Sequence, residues 1–294
     1  MSDSIAIVGL GLMGGTLATH LLTEGRDVIG YDPVAERGRE HLERGGTLAG
    51  SVAEAIGAVE VAVLSLPTSA IMVEVCREIA TAPTGELLVV DTTTGDPDEV
   101  LVAAGLLAEA GVGYVDATVS GNAAMAAARD VIFMIGGTDA HVKTARVLLE
   151  PLARRVYAVG PVGAGSRAKL VVNHILSINR TALAEGLTVA EKAGLDLDSI
   201  LEVLIDSAAY SKAMDIWGAR MIAADYDPPA SRVRQGHKDS RLINAHAESL
   251  GASHDLVQLV RSVLSEAEEA GFSDADQAAI MEVMRHRAGL TGSS

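Results

Sequence analysis

Lys169 and Asn173 stand four residues apart in the stretch GAGSRAKLVVNH, residues 163–174. In a helix that spacing turns both side chains to one face. The lysine offers a cation with a mobile proton, and the asparagine beside it offers an orienting hydrogen bond. Such a pair suits a reaction in which a carbon-bound oxygen gains or loses negative charge. A helical lysine on its own is most often just solvated. The rest of the chain has to supply something for the pair to act on.

A second constellation supplies it. Ser4 to Val8 is a short apolar run rich in β-branched residues, and it leads directly into Gly9-Leu10-Gly11-Leu12-Met13-Gly14. An amphipathic segment from Thr16 to Glu24 follows and stops at Gly25; a second apolar run, Val28 to Tyr31, ends at Asp32. The order is strand, glycine turn, helix, strand, acid. Gly9 permits the tight turn, Gly11 lets backbone approach a pyrophosphate, and Gly14 lets the helix pack against the strand. The helix start, with Leu12 and Met13, presents unpaired N–H groups to an anion. Asp32, eighteen residues beyond Gly14, is placed to accept hydrogen bonds from adenosine ribose hydroxyls, which favours NAD over NADP. Arg37, the nearest basic residue after it, keeps NADP open as a cofactor.

The elements that must position these residues alternate as far as Gly160. Strands are expected at Glu60 to Leu66, Leu87 to Val90, around Tyr114 and Val115, and at Val131 to Ile135, with helices between them. The segments at Leu66-Pro67, Thr92 and Ser120 fall at carboxyl ends of strands, where ligands bind in such sheets. The fold class is α/β: a Rossmann-type, doubly wound parallel sheet over residues 1–162, then an all-helical substrate and dimerisation domain over 163–294. The second domain opens on a helix of roughly 25–28 residues, capped by Ser166. That helix, carrying Lys169 and Asn173, is the expected floor of an interdomain cleft. Further helices are expected behind caps at Asp198, Ser211, Ser253 and Ser273. A helix of such length cannot bury apolar residues around its whole girth against one small domain, which predicts a homodimer or homotetramer.

Composition removes several function classes. The net charge of −16 opposes a nucleic-acid partner, because phosphate binding needs surplus Lys and Arg. Cys76 is the only cysteine, so no intramolecular disulfide or thiolate zinc site can form. His246 and His254 have no ligand-like neighbours, and no metal is expected. The start, MSDSIAIVG, lacks a basic region followed by an apolar core. No apolar run approaches a bilayer span. The expectation is a cytoplasmic protein with neither membrane nor nucleic-acid partners.

With these residues assembled, the chain resembles the β-hydroxyacid dehydrogenase family over nearly its whole length. The resemblance rests on GLGLMG at Gly9 to Gly14, DTTT at Asp91 to Thr94, DATVSGN at Asp116 to Asn122, GAGSRAKLVVNH at Gly163 to His174, and Lys238-Asp239. It implies an NAD(P)-dependent oxidoreductase interconverting a small β-hydroxy acid and its semialdehyde or keto form. The substrate would be of the tartronate semialdehyde or 3-hydroxyisobutyrate type. Lys169 would be the general acid–base and Asn173 would hydrogen-bond the substrate near the reacting oxygen. Ser120 and Gly121 would hold the substrate carboxylate, with Asn122 also binding the substrate. Gly9, Gly11, Leu12, Met13, Gly14, Asp32, Leu66 and Pro67 would bind the dinucleotide, with Thr94 and Lys238 along its nicotinamide side.

The departures from the family pattern cluster at the substrate loop. Asn122 and Met125 replace the usual glycines, Thr118 a proline, and Ser231 an aromatic residue. Thr118, Asn122 and Ser231 are expected to add polar groups to the pocket, favouring glycerate or tartronate semialdehyde over 3-hydroxyisobutyrate. Two other functions share the architecture, an imine reductase and a non-catalytic dinucleotide-binding module. Both usually lack the lysine found here at position 169.

Overall fold

The computed structural model describes residues 4–82 and 85–290. They form two compact units, Met1–Lys169 and Leu170–Ser294. The first unit runs β1 (Ser4–Val8), α1 (Leu12–Thr23), β2 (Asp27–Tyr31), α2 (Ala35–Glu43), β3 (Thr47–Leu48), α3 (Val52–Ile56) and β4 (Val61–Leu64). It continues through α4 (Ser69–Thr81), β5 (Leu88–Asp91), α5 (Pro97–Glu109), β6 (Gly113–Ser120), α6 (Ala123–Ala127), β7 (Ile132–Gly136), α7 (Asp139–Leu149) and β8 (Arg155–Gly160). The eight strands lie in the order β3-β2-β1-β4-β5-β6-β7-β8. Starting in the middle and winding outward both ways, this order places a switch point between β1 and β4, where dinucleotides bind in such sheets.

All described strand pairs are parallel except β6–β7. The five-residue helix α6 is too short for a crossover, so the chain turns back and pairs antiparallel. The sheet is apolar on both faces. Ile5, Ile7, Val63, Val90 and Phe133 enter one core, while Ala6, Val8, Leu64, Val89 and Tyr114 enter the other. That explains the near-continuous apolar runs in the sequence, where a half-exposed sheet would show alternation.

Helix α8 (Ala164–Lys192) is 29 residues long, and the division between the units falls within it. The expected cap at Ser166 is not the one used: the helix begins two residues earlier. Asp116 caps it across the fold, one carboxylate oxygen accepting from Gly163 N at 2.8 Å and the other from Ser166 N at 2.7 Å. Gly165 has to be small because a Cβ would sit 2.5 Å from Met134 O.

The second unit continues with α9 (Leu197–Asp206), a π-helical turn at Met214–Gly218, α10 (Ala219–Ala223), α11 (Val233–Ser249), α12 (Asp255–Glu269) and α13 (Ile280–Arg287). Its core is built from Leu183, Leu187, Trp217, Val260, Ile280 and their neighbours. None of the four expected caps holds a helix start: the Ser211 hydroxyl is buried without a hydrogen bond, and α12 follows His254 with no side-chain cap, Ser253 bonding Asp255 instead. Asp196 caps α9 in place of Asp198, and Asp276 caps the 3-10 turn Gln277–Ala279 that leads into α13, well after Ser273. Among the described residues no helix is long and apolar enough to cross a membrane.

Candidate active site

The glycine turn between β1 and α1 shows why its residues are small. Gly9 adopts φ +95°, and a Cβ there would lie 2.3 Å from Ser65 O. A Cβ on Gly14 would lie 1.9 Å from Gly9 O. Around Gly11 a Cβ would meet nothing closer than the Arg37 Nη1 at 3.9 Å, so backbone there is open to approach. Helix α1 starts at Leu12 with no side-chain cap, which leaves its first N–H groups for a ligand. Leu12 itself is 77% exposed. An uncapped N-terminus, open backbone at Gly11 and close packing at Gly9 and Gly14 fit a dinucleotide pyrophosphate.

Asp32 closes β2 as expected, but its carboxylate is already engaged. Oδ2 accepts from Leu10 N at 2.9 Å and Oδ1 from Val34 N at 2.8 Å. Arg37 Nη1 lies 3.2 Å from Oδ2, leaving the Asp32 side chain 2% exposed. Arg37 therefore covers the carboxylate that the sequence motif offers to ribose hydroxyls. Leu66, after β4, donates its N–H to Thr93 Oγ1 at 3.2 Å, which binds the Leu66-Pro67 segment to the loop that carries Thr94.

Two buried carboxylates hold the strand ends. Asp91 accepts from Thr93 N at 2.9 Å and from the Tyr114 hydroxyl at 2.8 Å. Burial pushes it up to about 6, against those hydrogen bonds. Asp116 is also pushed up to about 6 by burial, against the bonds from Ser166 and Gly163. Ser166 Oγ donates to Gly95 O at 3.1 Å. The first unit thus gathers the ends of β1, β4, β5 and β6 with the start of α8, and half-buried Thr94 and Lys169 stand on those segments.

Strand β6 runs four residues past its Asp91↔Asp116 pairing with β5, carrying Ser120 to the antiparallel pair with Ile132. Gly121 follows with φ +140°, and a Cβ there would be 2.8 Å from Val131 Cγ1. The three polar departures, however, are occupied. Thr118 is fully buried and donates to Gly165 O at 2.8 Å. Asn122 Oδ1 accepts from Met125 N at 2.9 Å as the cap of α6. Ser231 Oγ accepts from Gln277 Nε2 at 2.5 Å. The expected polar pocket is corrected accordingly: these groups have partners inside the fold, and a tertiary partner is invisible to sequence.

In the second unit, Asn173 Nδ2 donates to Asp239 Oδ2 at 3.1 Å. A carboxylate only accepts, so the amide nitrogen must face it and the amide's rotation is fixed. The Asn173 oxygen and its second N–H remain for a ligand. Lys238 Nζ lies 3.5 Å from Asp239 Oδ1, so Asn173, Lys238 and Asp239 form one group. His237, next along α11, is tied to Glu268 at 2.7 Å. Among the described residues no group of three or more His, Cys, Asp or Glu could hold a metal.

Residues 4–160 match the model for the NAD binding domain of 6-phosphogluconate dehydrogenase. Residues 163–284 match that for the NAD-binding domain of NADP-dependent 3-hydroxyisobutyrate dehydrogenase. A probable 3-hydroxyisobutyrate dehydrogenase of Mycobacterium tuberculosis is 31% identical over 201 residues, 68% of each chain. This chain belongs to the β-hydroxyacid dehydrogenase family. It is an NAD(P)-dependent oxidoreductase acting on CH–OH groups. The 2-(hydroxymethyl)glutarate dehydrogenase of Eubacterium barkeri is 26% identical over 99% of this chain and 97% of that one. The structure of the Mycobacterium tuberculosis 3-hydroxyisobutyrate dehydrogenase with L-serine superposes with a TM-score of 0.89. It is 26% identical and covers 97% of this chain and 100% of that one.

Within this dehydrogenase, sequence reasoning missed two side chains. Asp116 lies in a motif that by itself gives it no task; its link to α8 joins residues 47 and 50 positions away. Asp239 was half of a two-residue motif whose contact lies on another helix.

Proposed function

We propose that this dehydrogenase interconverts a small β-hydroxy acid and its semialdehyde, with Lys169 as general acid–base. The observation that carries the reading is the Lys169–Asn173 pair one turn apart on α8, with the asparagine amide anchored on Asp239 at 3.1 Å. Bound NAD(P) supplies the hydride chemistry. In oxidation the Lys169 amine accepts the proton that leaves the substrate hydroxyl. In reduction the Lys169 ammonium returns it to the carbonyl oxygen, and its charge opposes the negative charge developing there. Asn173 hydrogen-bonds the same oxygen. Ser120 and Gly121 hold the carboxylate, with Asn122 beside them at the start of α6. Thr94 and Lys238 line the nicotinamide side.

Chemistry shared by the relatives' names supports a substrate class. Both 3-hydroxyisobutyrate and 2-(hydroxymethyl)glutarate carry a hydroxymethyl group on the carbon next to a carboxylate. Thr118, Asn122 and Ser231 have internal partners, so the pocket has less cause to demand a further hydroxyl. A primary β-hydroxyl and a carboxylate are the required features, and the 2-substituent is secondary.

Replacing the lysine tests the reading. Lys169→Ala is expected to fold and bind NADH as the parent does, while turnover falls by about 10²–10⁴. Asn173→Ala should cost less, since it removes a hydrogen bond and no proton donor. A Lys169→Ala protein that kept most of its turnover would reassign the lysine to a structural role.

A further inference from the structure

Ser166 stands three residues before Lys169, about one turn earlier on α8. It is 1% exposed. A serine so near a helix start usually spends its hydroxyl as a cap or on a carbonyl of the preceding turn. Here Asp116 has taken the capping task, accepting from Gly163 N and Ser166 N. The hydroxyl is left for a distant partner and donates to Gly95 O at 3.1 Å, 71 positions away in the chain. An alanine would serve the helix better. The serine serves the contact.

Both ends of that bond are held independently. The loop from Thr92 to Asp96, between β5 and α5, is anchored along its length. Thr92 N and Oγ1 each donate to Leu64 O at 2.8 Å. Thr93 N donates to Asp91 Oδ1 at 2.9 Å, and Thr93 Oγ1 accepts from Leu66 N at 3.2 Å. Asp96 N donates to Ser69 Oγ at 2.9 Å, and a Cβ on Gly95 would lie 2.2 Å from Ser69 Cβ. Thr94 sits inside this loop with fixed neighbours on both sides. The first turn of α8 is held as well: Thr118 Oγ1 donates to Gly165 O at 2.8 Å, beside the two bonds that Asp116 accepts. The Ser166 hydroxyl joins these two pieces. Residues three apart share a helix face, and long side chains in helices lean toward the N-terminus. Lys169 therefore rises from the face that Ser166 turns to the loop, and leans back toward it.

The geometry points to Ser166 as a positioning residue for the reaction: its hydroxyl sets the register between the Thr94 loop and the turn of α8 that carries Lys169. This rests on the reading that Lys169 is the acid–base and Thr94 lines the nicotinamide side. Without the hydroxyl each piece keeps its own anchors, so the loss shifts one against the other and leaves both folded. A small shift between cofactor and proton donor costs turnover, because hydride and proton must be transferred at one carbon and its oxygen in a single geometry. Dinucleotide affinity, which draws on the glycine turn, is left alone.

The test is kinetic, on the whole enzyme with NAD and its best β-hydroxy acid. Ser166→Ala removes the hydroxyl alone, and alanine is the residue a helix accepts best. The expected result is a kcat loss of roughly tenfold to a hundredfold, the scale of a misplacement of about 1 Å, with NADH affinity within about twofold of the parent. The isotope effect on kcat for substrate deuterated at the hydroxyl-bearing carbon should be at least as large as in the parent, since the loss falls on the chemical step. In a Lys169→Ala background the same change should cost less than about twofold, because the serine acts through the lysine. A merely structural serine would lower NADH affinity as far as kcat, or give losses that multiply in the double variant. Either result overturns the assignment, as does full kcat in Ser166→Ala or a smaller isotope effect. If Ser166→Ala does not fold, Ser166→Gly is judged by the same measures. Lys169→Ala separates the two claims. An impaired Lys169→Ala beside a silent Ser166→Ala sinks the positioning role alone, whereas a fully active Lys169→Ala sinks the acid–base reading beneath it.

Discussion

Arg37 lies across the Asp32 carboxylate at 3.2 Å and covers it almost completely. The pair sets two opposing preferences at one place. A carboxylate accepts ribose hydroxyls and repels a 2′-phosphate; an arginine attracts that phosphate. With Asp32 fixed by two backbone N–H groups and Arg37 half-exposed, the fixed group should dominate. NADH should bind about tenfold more tightly than NADPH, the scale of one charged hydrogen bond at about 1.5–3 kcal/mol. Asp32→Ala should narrow that gap and Arg37→Ala should widen it, both read by fluorescence titration. Tighter NADPH binding to the unmodified protein would count against this assignment. Asp32 was legible because the motif fixes its place relative to Gly14. The cover by Arg37 was not, and neither were the partners of Thr118, Asn122 and Ser231. A side chain's type tells what it can bond, and only the fold decides what it does bond.

At the scale of elements, α8 depends on Asp116. Its length and its Lys169–Asn173 face were readable from apolar spacing, but its start was not. A local serine is the usual cap, whereas here a carboxylate at the middle of β6 reaches Gly163 and Ser166. The antiparallel return at β7 was hidden for a similar reason, since apolar runs do not carry strand direction. Asp116 also gives the fold a pH signature. Burial raises it from the ordinary 3.8 to about 6. Between those values the folded chain holds a proton that the unfolded chain has released. The stabilisation is therefore complete below about pH 4 and is lost as pH rises through about 6. Asp91, raised to about 6 by burial, acts in the same direction. Asp116→Asn should cost about 1–3 kcal/mol, because an amide cannot accept from both N–H groups as the carboxylate does. It should also lose less stability than the parent between pH 4 and 7. Thermal melts across that range check both; parallel pH curves for parent and variant would place the proton elsewhere.

At the scale of the molecule, the sequence carried the architecture because each unit has its own pattern. Apolar runs ending in glycine, threonine or serine mark the sheet, and capped amphipathic segments mark the helical unit. The sheet order centred on β1 and β4 then sets the glycine turn, the Leu66-Pro67 segment and the Thr93-Thr94 loop at neighbouring strand ends. The bond between Asn173 and Asp239 was not legible, since its two ends stand 66 residues apart in the chain. What the whole enzyme turns over is decided by a substrate panel followed by absorbance of the reduced cofactor. The purified protein would be offered 3-hydroxyisobutyrate, glycerate, 3-hydroxypropionate and 2-(hydroxymethyl)glutarate with NAD and with NADP, beside matched alcohols without a carboxylate and a cyclic imine with the reduced cofactors. The expected result is turnover of acids bearing a primary β-hydroxyl, faster with NAD, and at least about a hundredfold loss in kcat/KM when the carboxylate is absent. Reduction of the imine with no turnover of any β-hydroxy acid would contradict it.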